Sequence, residues 1–263
     1  MLWVELITGT FLSTVLIYCF LSTGKLTQLK LPATSFKYSS SFAYYFYLVF
    51  RLLTLALYIK ILVFVAIETG IELFSFYTLW NFILQAIYFL WAIIYQIRTA
   101  RSRYEPVVTT KETHYLNILF DVCFSNSIII AIVYWKFIYE PSLYVAWYGY
   151  FEHAGNTIVL IIDFISNQFV ISNRSWFFTI FFAAIYSVFV WISYFTWLDK
   201  VWPYTFLSMD TPYAPLWYVG IFAGHIISFG LAKLFSIIKE RCLPTLCPIP
   251  IVIPQAINPT SYV

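Results

Sequence analysis

Charge is what this chain has least of. Its 263 residues include 15 lysines and arginines and 12 aspartates and glutamates, a charged fraction of 10%. A soluble globular domain carries about 25%. That deficit, with 62% hydrophobic and 22% aromatic residues, excludes an ordinary soluble domain and predicts a multi-pass membrane protein. The net charge of +3 is too small to suggest a nucleic-acid partner. Cysteine is also scarce. Cys19, Cys123, Cys242 and Cys247 match neither zinc-ligand spacing nor a paired extracellular framework, so no disulfide and no metal site is expected. No H-E-x-x-H, CxxC, Walker or G-x-S-x-G string occurs, so nothing supports metal chemistry, nucleotide hydrolysis or a cofactor. The acidic-Arg-Tyr triplet and Asn-Pro-x-x-Tyr string of the common seven-helix receptors are missing as well.

The apolar runs that are present predict an all-α bundle of six spans, at 42–67, 74–97, 115–138, 148–168, 176–198 and 214–238. Each is long enough for a ~30 Å hydrocarbon layer, which takes about 20 helical residues. Residues 1–22 are apolar but interrupted by Glu5, and stay open between an interfacial segment and a seventh span. The expected organisation is an N-terminal apolar segment and basic linker (1–41), a transmembrane domain (42–238) and a proline-rich tail (239–263). Tyr and Trp crowd the span ends, as an interfacial belt would.

Basic residues cluster in alternate loops. Lys25, Lys30 and Lys37 precede the first of the six spans, Arg98, Arg101, Arg103 and Lys111 follow the second, Arg174 follows the fourth, and Lys233, Lys239 and Arg241 end the sixth. The other loops are acidic or balanced, with Glu68, Glu72, Glu140, Asp199, Lys200 and Asp210. The positive-inside rule therefore puts the C-terminus in the cytoplasm of a plasma-membrane or endomembrane protein.

Polar residues inside spans are costly and face the bundle interior. His153, Asn156, Asp163 and Asn167 fall on one broad helical stripe. Thr78 lies roughly 6 Å below the outer surface and His153 and Asn156 roughly 8–12 Å, with Lys60 at a similar level about 10 Å deep. These groups predict a polar pocket for a lipid or other amphiphile; the alternative is hydrogen-bonded glue between helices. Nearer the inner face, Arg51 is expected to pair with Asp163 or Asp121, or else to snorkel to the interface. His225 stands alone and receives no role.

Three strings carry a resemblance: Phe76-Tyr77-Thr78-Leu79-Trp80-Asn81, the segment from His153 through Asn156 to Asp163, and Trp202-Pro203-Tyr204. Over residues 42–238 the chain resembles the rolling-stone membrane proteins and the related androgen-induced membrane hydrolases. The androgen-induced branch implies a threonine-dependent hydrolase of fatty acid esters of hydroxy fatty acids, with Thr78 matching its nucleophile. Its His-Gly-x-His string aligns with His153 and Asn156, and Asn156 stands where the catalytic histidine is expected. Asparagine has no usable basicity. The resemblance thus leaves His153 to serve as base, with Asn156 donating to an oxyanion. The rolling-stone branch implies instead a role in cell fusion, as a non-enzymatic membrane organiser.

In the tail, Cys242 and Cys247 sit beside basic residues and suit palmitoylation. Ser261-Tyr262-Val263 reads as a ligand for a PDZ-domain scaffold. The deduced topology places the sequon Asn173-Arg174-Ser175 on the cytoplasmic side. Expression in glycosylating cells should give a single band that does not shift on amidase treatment; a glycan at Asn173 would invert the orientation.

Overall fold

A computed structural model describes residues 1–26, 40–100 and 110–243. Eight helical segments run in chain order: α1 (Leu2–Leu26), α2 (Ser41–Thr69), α3 (Tyr77–Arg98), α4 (Lys111–Val133), α5 (Trp147–Tyr150), α6 (Asn156–Ser166), α7 (Trp176–Thr196) and α8 (Ala214–Cys242). Among the described residues there is no strand. In hydrocarbon every backbone group must be satisfied internally, and helices of this length do so alone.

Local signals set the ends. The Ser40 hydroxyl accepts from Ala43 N at 3.1 Å to start α2, and α2 stops at Gly70, whose φ of 58° suits a residue without a Cβ. Thr110 and Thr113 form a capping box at the start of α4.

Among the described residues, six helices are long and apolar enough to cross a membrane: α1, α2, α3, α4, α7 and α8. The fold is an all-α bundle of multi-pass membrane type, but these six are not the expected set. Residues 1–22 join it, because α1 lies antiparallel along α7: Tyr18 meets Phe177 at 5.7 Å between ring centroids, and Gly9 faces Trp191. Phe11 also packs edge-on against Phe222 of α8, at 5.3 Å. The 148–168 segment is not one uniform helix. A π-helical turn, Phe151–Gly155, separates α5 from α6, and α6 stops at Ser166. Helical structure is nonetheless continuous from Trp147 to Ser166, about 30 Å at 1.5 Å per residue.

The axle is α4. Of its span 72% is buried, against 22% for α1 and α2. It packs on α3, α6, α7 and α8, with α1 against α7 on one flank and α2 against α3 on the other. Around α4, Phe120 stacks on Phe164 at 5.4 Å.

Polar bonds tie this frame at the end where α3 stops. Arg51 Nε donates to Asp163 Oδ1 at 2.8 Å, with both side chains fully buried. Arg51 Nη1 donates to Gln96 Oε1 at 2.7 Å. The remaining carboxylate oxygen of Asp163 accepts from the Tyr88 hydroxyl and from Asn167 Nδ2 at 3.2 Å. Asp121 does not join Arg51. It accepts from Asn117 Nδ2 at 2.8 Å, Ser172 N at 3.0 Å and Ser175 Oγ at 2.5 Å, which pins the α6–α7 loop. Lys239, read from sequence as a solvated cytoplasmic charge, is buried at 4% exposure and donates to Phe169 O at 2.8 Å. Lys233 likewise donates to Ile171 O at 2.7 Å. Their long stems reach the loop carbonyls, which accept charge-assisted bonds.

In the tail, Cys242 ends α8 exposed, while Cys247, Ser261, Tyr262 and Val263 lie outside the described residues.

Removing one partner of a buried ion pair leaves the other charge uncompensated, at about 3–5 kcal/mol. Asp163→Ala should accordingly lower thermal stability sharply in detergent. The double variant Arg51→Met/Asp163→Leu should recover part of the loss, as read by fluorescence-detected size exclusion after heating.

Candidate functional site: a divided cavity

At the opposite end of the bundle, two π-helical turns meet. One, Tyr134–Ile138, continues α4; the other is Phe151–Gly155. The rings of Tyr134 and His153 stack at 3.5 Å between centroids, 4° from parallel, and Trp135 Nε1 donates to His153 O at 3.2 Å. A π turn widens the backbone and recurs at functional sites. It also needs room: a Cβ at Gly155 would fall 2.5 Å from the Phe151 ring.

Three adjoining compartments open around this stack. The deepest lies among α3, α4, α7 and α8, with mostly apolar walls that include Ile129, Ile130, Ala183 and Ile221. Its polar groups include Thr78, Tyr77, Ser187, Tyr204, His153 and His225. A second compartment shares Thr78, Tyr134, His153 and Tyr204 and adds Tyr148 and Glu152. The third, toward the α2 and α5 ends, shares Tyr134, Tyr148, Glu152 and His153 and adds Glu68 and Trp147. His153 and Tyr134 line all three.

Thr78 and His153, at matching depth in sequence, thus line one cavity. They are not bonded to each other. The Tyr204 hydroxyl, on the same lining as Thr78, accepts from Tyr77 N at 3.1 Å. Burial pushes the Tyr204 hydroxyl above the ordinary phenol range, although the Tyr77 donor opposes it. Tyr204 therefore stays neutral near pH 7 and cannot take the Thr78 proton. Among the described residues His153 Nδ1 has no partner, and none of their carboxylates holds it as the base of a triad is held.

Two sequence expectations need correction. Asn156 is fully buried, but it lines none of the three compartments; its Oδ1 accepts from Thr157 N at 2.7 Å. The wider π turn between His153 and Asn156 takes the two off a common helical face, so the single stripe divides. His153 goes to the cavity, and Asp163 and Asn167 go to the Arg51 network. Lys60 is not a buried polar group. It is exposed, with Nζ 5.3 Å from the Trp147 ring centroid, because its flexible stem lets the ammonium rest on an aromatic face.

The cavity also holds groups that sequence reasoning passed over. His225 Nδ1 lies 2.8 Å from Ile221 O, a partner that can only accept, so Nδ1 carries the proton and Nε2 accepts from the Tyr77 hydroxyl at 3.0 Å. An ionisable residue in mid-span was the signal. Tyr186 donates to Ser75 O at 2.6 Å. Glu152 was hidden beside His153, although it is 9% exposed.

Tyr204→Phe removes the acceptor of Tyr77 N. An unsatisfied buried donor costs about 1–3 kcal/mol, so this variant should unfold at lower temperature than the wild type. Tyr213→Phe, at an exposed position, should not. Differential scanning fluorimetry in detergent compares the two.

Comparison of the chain with protein-family models, with curated proteins and with solved structures finds no match in any of the three.

Proposed function

We propose that this multi-pass membrane protein binds an amphiphile, with the apolar chain in the deep compartment and the head toward the Glu68 end. The observation that carries this reading is the gradient of the lining: aliphatic and aromatic walls among α3, α4, α7 and α8 lead to a mouth bearing Glu68, Tyr148 and Glu152. Ligand sites are concave and mostly apolar, with few placed polar groups. The charge bias of the loops supports a mouth facing outward or lumenal, with the C-terminus cytoplasmic. The three shared strings support the rolling-stone type.

A dodecanol analogue carrying a photoactivatable diazirine should crosslink to α3, α7 or α8 in a manner that unlabelled dodecanol competes away. Ala183 lines the deep compartment, and Ala183→Phe should abolish that labelling while the protein elutes as a folded species. Labelling confined to the outer, lipid-facing helix surfaces would overturn the reading.

Hydrolysis of a lipid ester is the second reading, favoured by the common lining that holds Thr78, His153 and His225. It requires His153 to turn from Tyr134 toward Thr78. A fluorophosphonate probe should then label the wild type and not Thr78→Ala. Folded wild type that stays unlabelled favours a non-enzymatic binder or organiser.

A further inference from the structure

Glu152 sits five residues into the Trp147–Ser166 helical path, roughly 8 Å from its start. The residue is 9% exposed and lines both outer compartments. Among the described residues it accepts no hydrogen bond and joins no ion pair. An ionised carboxylate largely withdrawn from water and without a protein partner is costly, and a cation supplied from outside would lower that cost.

The walls around it suit such a cation. Phe64, Tyr134, Trp147 and Tyr148 present rings to the outer compartment, and its lining contains Glu68 and no lysine or arginine. Glu68 accepts a hydrogen bond from the Tyr148 hydroxyl, which holds that carboxylate at the rim. Ring faces with a carboxylate behind them are the arrangement that recognises ammonium and quaternary ammonium groups. The protein's own Lys60 already uses two of these rings from outside, with Nζ 5.3 Å from the Trp147 centroid and 5.9 Å from that of Phe64. The stacked rings of His153 and Tyr134 separate this polar chamber from the apolar one, so a head and a chain would occupy different compartments.

We infer that the site selects amphiphiles whose head carries a positively charged nitrogen, with Glu152 as its counter-ion and the surrounding rings as its cage. This deepens the binding role proposed above and rests on it.

The test uses full-length protein in detergent and two diazirine probes of equal chain length, a dodecyltrimethylammonium and the neutral dodecanol analogue. On the wild type, the trimethylammonium probe should reach half-maximal, competable labelling at a concentration about tenfold lower than the alcohol, in line with cation–π attraction to the rings. In Glu152→Gln the two concentrations should converge, and elution as a monodisperse species on size exclusion shows that the variant folds. A primary dodecylamine probe tells whether the cage prefers a methylated head.

If neither probe labels the cavity, the binding reading itself fails. If both label the wild type equally, that reading stands and the selectivity inferred here is overturned. A preference that survives in Glu152→Gln overturns the assignment to Glu152. Should that variant lose alcohol labelling through misfolding, the wild-type comparison still decides the selectivity.

Discussion

The bundle depends on the satisfaction of one guanidinium away from water. Lipid tails are as apolar as leucine, so helices in a membrane gain little by hiding greasy faces from one another. Large residues such as Leu53, Val63 and Ile67 on α2 remain exposed at no penalty in that medium. What gives α2 a fixed place is Arg51, bonded to Gln96 of α3 and Asp163 of α6. The pair also fixes the register of α6, whose other end leads into the π turn that presents His153 and Glu152. A tight polar knot at one end thereby supports an open, divided cavity at the other.

Between these ends the chemistry differs in kind. In the knot, Asp163 is fully buried and has three donors around it. At the cavity, Tyr204, Tyr77 and His225 are each engaged with a neighbour, while among the described residues Glu152 and His153 Nδ1 keep polar atoms without a protein partner. A histidine held only by stacking on Tyr134 is free to donate or accept, but nothing aligns it for proton transfer. The arrangement resembles a receptor for a polar head more closely than a hydrolytic site with its base already placed.

Much of the architecture was legible in the sequence, because twenty-residue apolar runs leave few alternatives to spanning helices. The partnership of Arg51 with Asp163 could be anticipated, since a buried arginine has few possible counter-charges. The co-lining of one cavity by Thr78 and His153 followed from equal depth alone. The split of the polar stripe could not be read, because a regular 3.6-residue period has no sign for the extra residue that a π turn accommodates. Nor could the burial of Lys239, since a basic residue after a span looks the same whether it is solvated or folded back. Glu5 made α1 doubtful, yet it falls in the first turn, where a span end meets water. The sequence hid Glu152 for a related reason: next to His153 in an aromatic run, nothing sets it apart from the polar residues of a span end.

The Arg51–Asp163 bond joins residues 112 positions apart, and that separation has a temporal meaning. At a synthesis rate of ~5–20 residues per second, Arg51 emerges roughly 6–22 s before its counter-charge. Gln96, only 45 positions downstream, arrives well before that. During the interval an α2–α3 hairpin holds the guanidinium through that amide, and it cannot reach its final arrangement until α6 enters the bilayer. A ribosome that stalls between α4 and α6 would leave an uncompensated positive charge inside the membrane, the kind of exposed defect by which quality-control machinery can tell an unfinished chain from a finished one.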